Sequence, residues 1–347
     1  MRSIRELAQT LSKSILAAMQ QQFSHDRQLQ KQVVVTLHGE PVDQQTLTIS
    51  QMGLQTYLKY GESWKHKEKW STLRDSMPAN FSLDPQGFFV LYKENDANPI
   101  ATVAAVKNEQ KKVAYIGFYI TRLDMRGRGY GWHLYEYVQA DLERRGYVIG
   151  LNCFESMTPM YEKANFQKVT TDIVYKTETS PASSLSETGI CVRNFADISD
   201  DRQLDALIAY DAKIFGNSRR NFLILMLSGE DTQCVVAYDD NQIKGYAISK
   251  ERVLPPAKAG AGHAGSRVGP FYAENDRVAK VLLNEITRVS NLPVFMDTQM
   301  SYCSEVAAML SQGVFSKVVS LDRCYRGRAP KPDSRVYGNT SLAFSHL

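Results

Sequence analysis

From residue 88 onward, apolar residues cluster in short runs separated by polar turns. Residues 88–92 read as a strand, 94–99 as a polar hairpin loop, and 100–106 and 112–121 as further strands, because β-branched and aromatic runs bounded by turn residues pack well on a pleated surface. Upstream, 33–37 reads as a short strand. Residues 47–60 and 63–73 read as two helices, the second carrying an apolar stripe of Trp64, Trp70 and Leu73 with Pro78 beyond its end. Downstream come a helix at 129–145, a strand at 147–152, a helix at 159–163 and a strand at 168–176. Residues 177–189 are rich in Ser, Thr, Glu and Pro without hydrophobic period, and they read as a linker.

After the linker the pattern begins again. Strands are expected at 190–195, 234–238, 243–252 and 267–272, and helices at 204–209, after the acidic pair Asp200 and Asp201, and at 219–227. A helix at 276–289, a strand at 294–297, a helix at 302–310 and strands at 318–325 and 341–344 complete the chain. The repeated order predicts an α/β (α+β) protein of two tandem lobes, with boundaries 1–32 for an N-terminal helix or tail, 33–177, a linker at 178–189, and 190–347.

The 347 residues, 43% hydrophobic and 22% charged, fit two globular units, and a net charge of +4 is too small to argue for nucleic acid. No apolar run reaches the roughly 18 residues that span a membrane. Cys153, Cys191, Cys234, Cys303 and Cys324 are dispersed, without a C-x-x-C pair or a histidine cluster, so no metal site is expected and the thiols fit a reducing, cytoplasmic compartment. The first 32 residues are basic, with Leu7, Leu11, Ile15, Ala18 and Met19 at helical spacing. They read either as a helix packed on the protein or as a mitochondrial transit segment. The sequence carries no signal for an oligomeric state.

The chemistry gathers where the strand at 112–121 meets Arg126-Gly127-Arg128-Gly129-Tyr130-Gly131 and the helix that follows. Strand, glycine-rich turn and helix N-terminus present backbone N–H groups to a phosphate, and two arginines add positive charge. The spacing is wrong for a dinucleotide fingerprint, and the Gly-Lys-Ser/Thr of a P-loop is absent. Arg126-x-x-Gly129-x-Gly131 resembles the acetyl-CoA loop of the Gcn5-related N-acetyltransferases (GNAT family). Tyr161-Glu162-Lys163-Ala164-Asn165-Phe166 resembles that family's Y-E-K-x-G-F segment, with Asn165 in the place of a glycine. Asparagine is the next best residue at a left-handed helix end, so the departure is mild.

That resemblance implies the acyl-CoA N-acyltransferase fold and transfer of an acetyl group from acetyl-CoA to a primary amine of a small molecule or peptide, by direct attack in a ternary complex. The main chain of Phe118, Tyr119, Ile120 and Thr121 would hold the pantetheine arm, and the amides of Arg126, Gly127, Arg128, Gly129, Tyr130 and Gly131 the pyrophosphate. Tyr161 would protonate the leaving thiolate. The strand before the loop lacks the carboxylate that often serves as base; Asn152, Glu155 or a water chain are the alternatives. A module that binds acyl-CoA or a protein without catalysis is the rival reading.

In the second half, Arg267-Val268-Gly269-Pro270-Phe271-Tyr272-Ala273 and the run from Tyr210 to Arg220 resemble the C-terminal lobe of a bacterial and nematode group of tandem acetyltransferases. There Ala273-Glu274-Asn275-Asp276-Arg277 replaces the glycine cluster. Its carboxylates would repel a pyrophosphate, so this degenerate lobe is expected either to wall the acceptor cleft or to act as a structural partner. Asp211 and Arg219 are candidates for acceptor recognition or for an ordinary ion pair. The loop at 255–265 either covers the cleft or is a surface excursion.

Overall fold

A computed structural model describes residues 4–31, 46–73, 75–179, 189–198, 201–253, 265–299 and 315–339. The first half contains α1 (Ile4–Phe23), β1 (Arg27–Lys31), β2 (Leu47–Gln51), α2 (Leu54–Lys67), β3 (Thr72–Leu73), α3 (Met77–Leu83), β4 (Phe88–Lys93), β5 (Ala101–Asn108) and β6 (Val113–Thr121). It closes with α4 (Tyr130–Arg144), β7 (Val148–Cys153), α5 (Thr158–Lys163) and β8 (Gln167–Thr177). The second half contains β9 (Cys191–Asn194), α6 (Arg202–Phe215), α7 (Arg220–Leu227), β10 (Gln233–Asp239), β11 (Gln242–Val253) and β12 (Ser266–Ala273). Then come α8 (Asp276–Val289), β13 (Val294–Gln299), β14 (Ser316–Arg326) and β15 (Val336–Gly338).

Each half runs an antiparallel meander into one parallel pair bridged by a helix, β6–α4–β7 and β12–α8–β13. A parallel pair needs such a crossover because its strands cannot be joined by a tight turn. The halves then exchange their closing strands. β14, from the second half, pairs with β7 and β8 of the first, and β8 pairs in turn with β13 of the second. The result is one continuous sheet in the order β1-β2-β4-β5-β6-β7-β14-β8-β13-β12-β11-β10-β9.

Helices cover both faces. On one face α4 buries Leu134, Tyr135, Val138 and Leu142 against the first half of the sheet, and α8 buries Leu282, Leu283 and Ile286 against the second. On the other face a single apolar cluster spans both halves, from Tyr57 and Phe81 on α2 and α3 to Leu207 and Phe222 on α6 and α7. Each large side chain buried there contributes about 1.5–3 kcal/mol. Helix α1 joins this cluster through Ile4, Ala8 and Met19, its Ile4 amide bonds the Ile198 carbonyl at 3.2 Å, and Arg5 reaches the Thr232 carbonyl.

Three sequence expectations give way. Residues 47–51 form β2 rather than a helix, because Leu47 and Ile49 alternate into the sheet beside β4. The helix expected at 63–73 ends at Lys67, and Lys69 turns left-handed at φ 61°. Thr72 and Leu73 then pair with Val253 and Arg252 of β11, a partner that local periodicity cannot reveal. Pro78 does not follow a helix end; it stands in the first turn of α3, where the missing N–H costs nothing. The strands expected at 33–37 and 341–344, the helix at 302–310, most of the linker and the loop at 255–264 lie outside the described residues.

Candidate active site

β6 and β7 run side by side only from Val113↔Val148 to Ile116↔Leu151. Beyond Ile116 a bulge interrupts the β5–β6 ladder, the Phe118 backbone turns to φ 52°, and the Phe118 carbonyl accepts a hydrogen bond from Thr102 Oγ1 at 3.1 Å. A bulge bends its strand, so β6 parts from β7, and among the described residues no ladder crosses the gap between Gly117–Thr121 and the end of β7. Phe118 and Ile120 point into the shared cluster, whereas Tyr119 points towards α4, its ring 5.5 Å from that of Tyr135.

The glycine-rich turn closes the outer end of this gap. Gly127 and Gly129 adopt φ +76° and +83°, conformations that a side chain disfavours. Gly131 has a different reason to be glycine: a Cβ there would stand 2.1 Å from Thr121 Oγ1. The N-cap of α4 is Gly129, which brings no side chain to the helix start, and no acid occupies the first turn, so the positive end of the helix dipole faces the turn. Arg126 is held by the Thr121 carbonyl at 2.9 Å and by Glu68. Between turn, α4 and α5 lies a cavity of about 450 Å³, lined by Tyr119, Arg126, Gly129, Trp132, Met160 and Ala164 among others.

Tyr161 stands on α5 at 7% exposure, its ring 6.1 Å from Tyr135 and 5.8 Å from Phe166. Burial raises its pKa, so the phenol is neutral and able to donate. Asn165 ends the segment at φ 62°, the left-handed geometry that its substitution for glycine required.

Asn152 lies on the opposite face of the sheet, since its neighbours Leu151 and Cys153 share the cluster that holds Tyr161. Its amide Nδ2 donates to Asp172 Oδ2 at 2.6 Å, and Arg323 binds the same oxygen through Nε at 3.1 Å and Nη2 at 2.6 Å. Asn152 Oδ1 and Asp172 Oδ1 have no hydrogen-bond partner among the described residues. Sequence reasoning missed Asp172 and Arg323, because they reach the site only through the exchanged strands. Glu155 is exposed in the turn before α5. Asp211 and Arg219 are buried, paired at 2.7 and 2.9 Å, and further bonded to Tyr246 and Tyr272, while Arg219 also borders a small cavity with Lys107, Phe215 and Asn217.

The corresponding gap in the second half is filled from within. β12 and β13 pair in parallel from Ser266↔Val294 to Val268↔Met296, and β15 then enters on β12 at Phe271↔Gly338 and Tyr272↔Val336. Asn339 bridges to Asp297 on β13, with its amide 3.0 Å from the Asp297 carbonyl. At the N-terminus of α8 the Asn275 side chain accepts from the Val278 amide at 3.1 Å, and Tyr337 donates to Asp276 at 2.7 Å. Among the described residues no group of His, Cys, Asp or Glu could hold a metal, and no helix is long and apolar enough to cross a membrane.

Comparisons with known proteins agree with this architecture. Residues 52–166 match the model of the acetyltransferase (GNAT) family, and residues 207–338 match a model of an acetyltransferase (GNAT) domain. The holothin acyltransferase of Pseudoalteromonas sp. (strain SANK 73390) is 25% identical over 292 residues, covering 83% of this chain and 91% of that protein. Among solved structures, a proposed acetyltransferase from Pyrococcus horikoshii superposes with a TM-score of 0.64 at 16% identity, over 88% of this chain and 98% of that one. A tandem GNAT protein from the clavulanic acid biosynthesis pathway gives 0.53 at 11% identity, over 82% and 100%. With a family match on either side of the linker and one tandem architecture running through both, the chain belongs to the GNAT acetyltransferases as a two-lobed member.

Proposed function

We propose that the chain is an acetyl-CoA-dependent N-acetyltransferase acting on a primary amine, with the donor bound in the first lobe alone. The observation that carries this reading is the gap between β6 and β7, which opens at the Phe118 bulge and ends at the glycine N-cap of α4. Beyond Ile116 the edge of β6 turned away from β5 has no partner strand among the described residues, which suits the amides of a pantetheine arm, and the amides of residues 126–131 suit a pyrophosphate. In the second lobe β15 fills the same place, and side chains occupy the helix N-terminus. A relative named as an acyltransferase and matched along most of both chains favours transfer over mere binding.

In this reading the amine approaches from the Asn152 face while the thioester lies on the Tyr161 face. Nitrogen attacks the carbonyl carbon, the carbon–sulfur bond breaks, Tyr161 supplies a proton to the departing thiolate, and the proton lost by nitrogen returns through water. An ordinary phenol, with a pKa near 10, is a weaker acid than a thiol near 8.5. Tyr161 therefore acts by hydrogen bonding as charge develops on sulfur, with transfer completed only as nitrogen loses its proton.

Thiol release from acetyl-CoA across a panel of primary and secondary amines tests the proposal, with Gly129→Glu and Tyr161→Phe as controls. Turnover with primary amines that Gly129→Glu abolishes is expected. Saturable acetyl-CoA binding without thiol release from any amine would instead establish the non-catalytic reading.

A further inference from the structure

The cofactor groove of the first lobe is not built by the first lobe alone. Helix α5, which carries Tyr161, has six residues, too few to be stable without tertiary support. Its two ends are held by β14 of the second half. At the start, Thr158 Oγ1 donates to Asp322 Oδ2 at 2.8 Å, and the Asp322 carboxylate also pairs with Lys168 Nζ at 2.7 Å. At the end, Arg326 Nη1 donates to the Ala164 carbonyl at 2.5 Å. Between them Cys324, fully buried, packs in the cluster that contains Tyr161. Residues 322, 324 and 326 face the same side of the strand, and four residues of strand span about 13 Å. A helix of six residues is about 9 Å long, so the two polar side chains bracket α5. Arg326 does one thing more: its Nε pairs with Glu143 near the C-terminus of α4. One guanidinium thereby ties together the helices on either side of the cavity.

The structure assigns Asp322 and Arg326 as positioning residues, through which the second lobe fixes α5 against α4 and aims Tyr161 into the first lobe's groove. This assignment rests on the proposed acid role of Tyr161. It gives the second lobe a task that needs no coenzyme of its own. Arg326 suits the task because a planar fork with several donors can serve a carbonyl and a carboxylate at once, whereas a lysine would serve one well and the other poorly.

The test is a double-mutant cycle in the full chain, with acetyl-CoA and the best primary amine of the screen. Arg326→Ala is expected to lower kcat about tenfold, and Tyr161→Phe about a hundredfold, in the range of a lost general acid. The KM for the amine stays within about twofold in both, since the acceptor lies across the sheet. If Arg326 acts through Tyr161, the double variant is no more than about twofold worse than Tyr161→Phe. Multiplicative loss, about a thousandfold, overturns the positioning role while leaving the acid role intact. A Tyr161→Phe enzyme as active as wild type overturns the acid role, and the positioning role with it. Amide hydrogen exchange supplies a readout free of turnover: in Arg326→Ala, residues 158–166 exchange at least about tenfold faster while β7 keeps its protection. Unchanged exchange there overturns the clamp. Arg326→Lys carries the same measurements if the alanine variant does not fold, with a smaller defect expected.

Discussion

Gly131→Ala probes the fit between the glycine-rich turn and β6. The added Cβ would lie 2.1 Å from Thr121 Oγ1, and 3.0 and 3.2 Å from Tyr119 Oη and Cε2. The first distance is far inside van der Waals contact, so something must move by about 1 Å; the other two need only a few tenths of an ångström. In the free variant, relief is expected from an outward shift of the start of α4. Binding a pyrophosphate on the α4 amides would pull it back, so the strain falls on the binding step. Overpacking costs about 1–3 kcal/mol, which corresponds to a rise of about 5- to 150-fold in the Kd for acetyl-CoA. Calorimetric titration measures it. Thr121→Ala removes the atom at 2.1 Å while keeping the main chain that would hold the pantetheine. The double variant Gly131→Ala/Thr121→Ala is therefore expected to recover most of the affinity. Wild-type affinity in Gly131→Ala, or no recovery in the double variant, would refute the placement of the coenzyme against this turn.

The same titration is expected to give one acetyl-CoA per chain, because β15 occupies the second gap; a stoichiometry of two would show that β15 is displaced. Burial pushes the Lys65 ammonium down to about 8, beside Tyr57 and with Phe118 at 5.2 Å. Between that value and the unfolded value near 10.4 the unfolded chain binds more protons, so stability rises with pH through this window. The charged lysine costs about 3 kcal/mol below pH 8 at 1.36 kcal/mol per unit. Lys65→Met is thus expected to be more stable than wild type at pH 7 and to lose the rise from pH 8 to 10, as read by urea unfolding; a wild-type pH profile in the variant counts against a titrating Lys65. Arg323→Met leaves Asp172 as a buried charge and is expected to cost about 3–5 kcal/mol in urea unfolding, with Asp172→Asn in the same chain restoring most of it. Equal stability of the single and double variants would mean that the pair is not coupled.

The strand–turn–helix elements at the centre of each half are legible because their signals are local. A strand run, a glycine turn and a helical period sit next to one another, and α4, α8, β6 and β12 fall within one or two residues of expectation. Asn165 could be read as left-handed from its place in a motif. Side chains that depend on distant pairing were not legible. β3 exists because β11 lies beside it, and its two residues carry no period of their own. β2 was mistaken for a helix because five residues are too short to separate alternation from helical spacing. Asp172, Arg323 and Arg326 look like ordinary strand charges in sequence; only the exchange of β8 and β14 turns them inward. Asp211 and Arg219 show the converse: spacing alone leaves recognition and an ordinary ion pair equally open, and the fold ties the two side chains to each other.

The exchanged strands also set a timetable. During synthesis β7 is complete at Cys153, but its neighbour in the finished sheet, β14, begins only at Ser316. Until then the edge of β7 offers unpaired backbone groups to any passing strand, a hazard for aggregation and for swapping with another copy. A ribosome stalled before residue 316 would hold a first lobe with the glycine-rich turn and α5 translated and the strand that brackets α5 still missing.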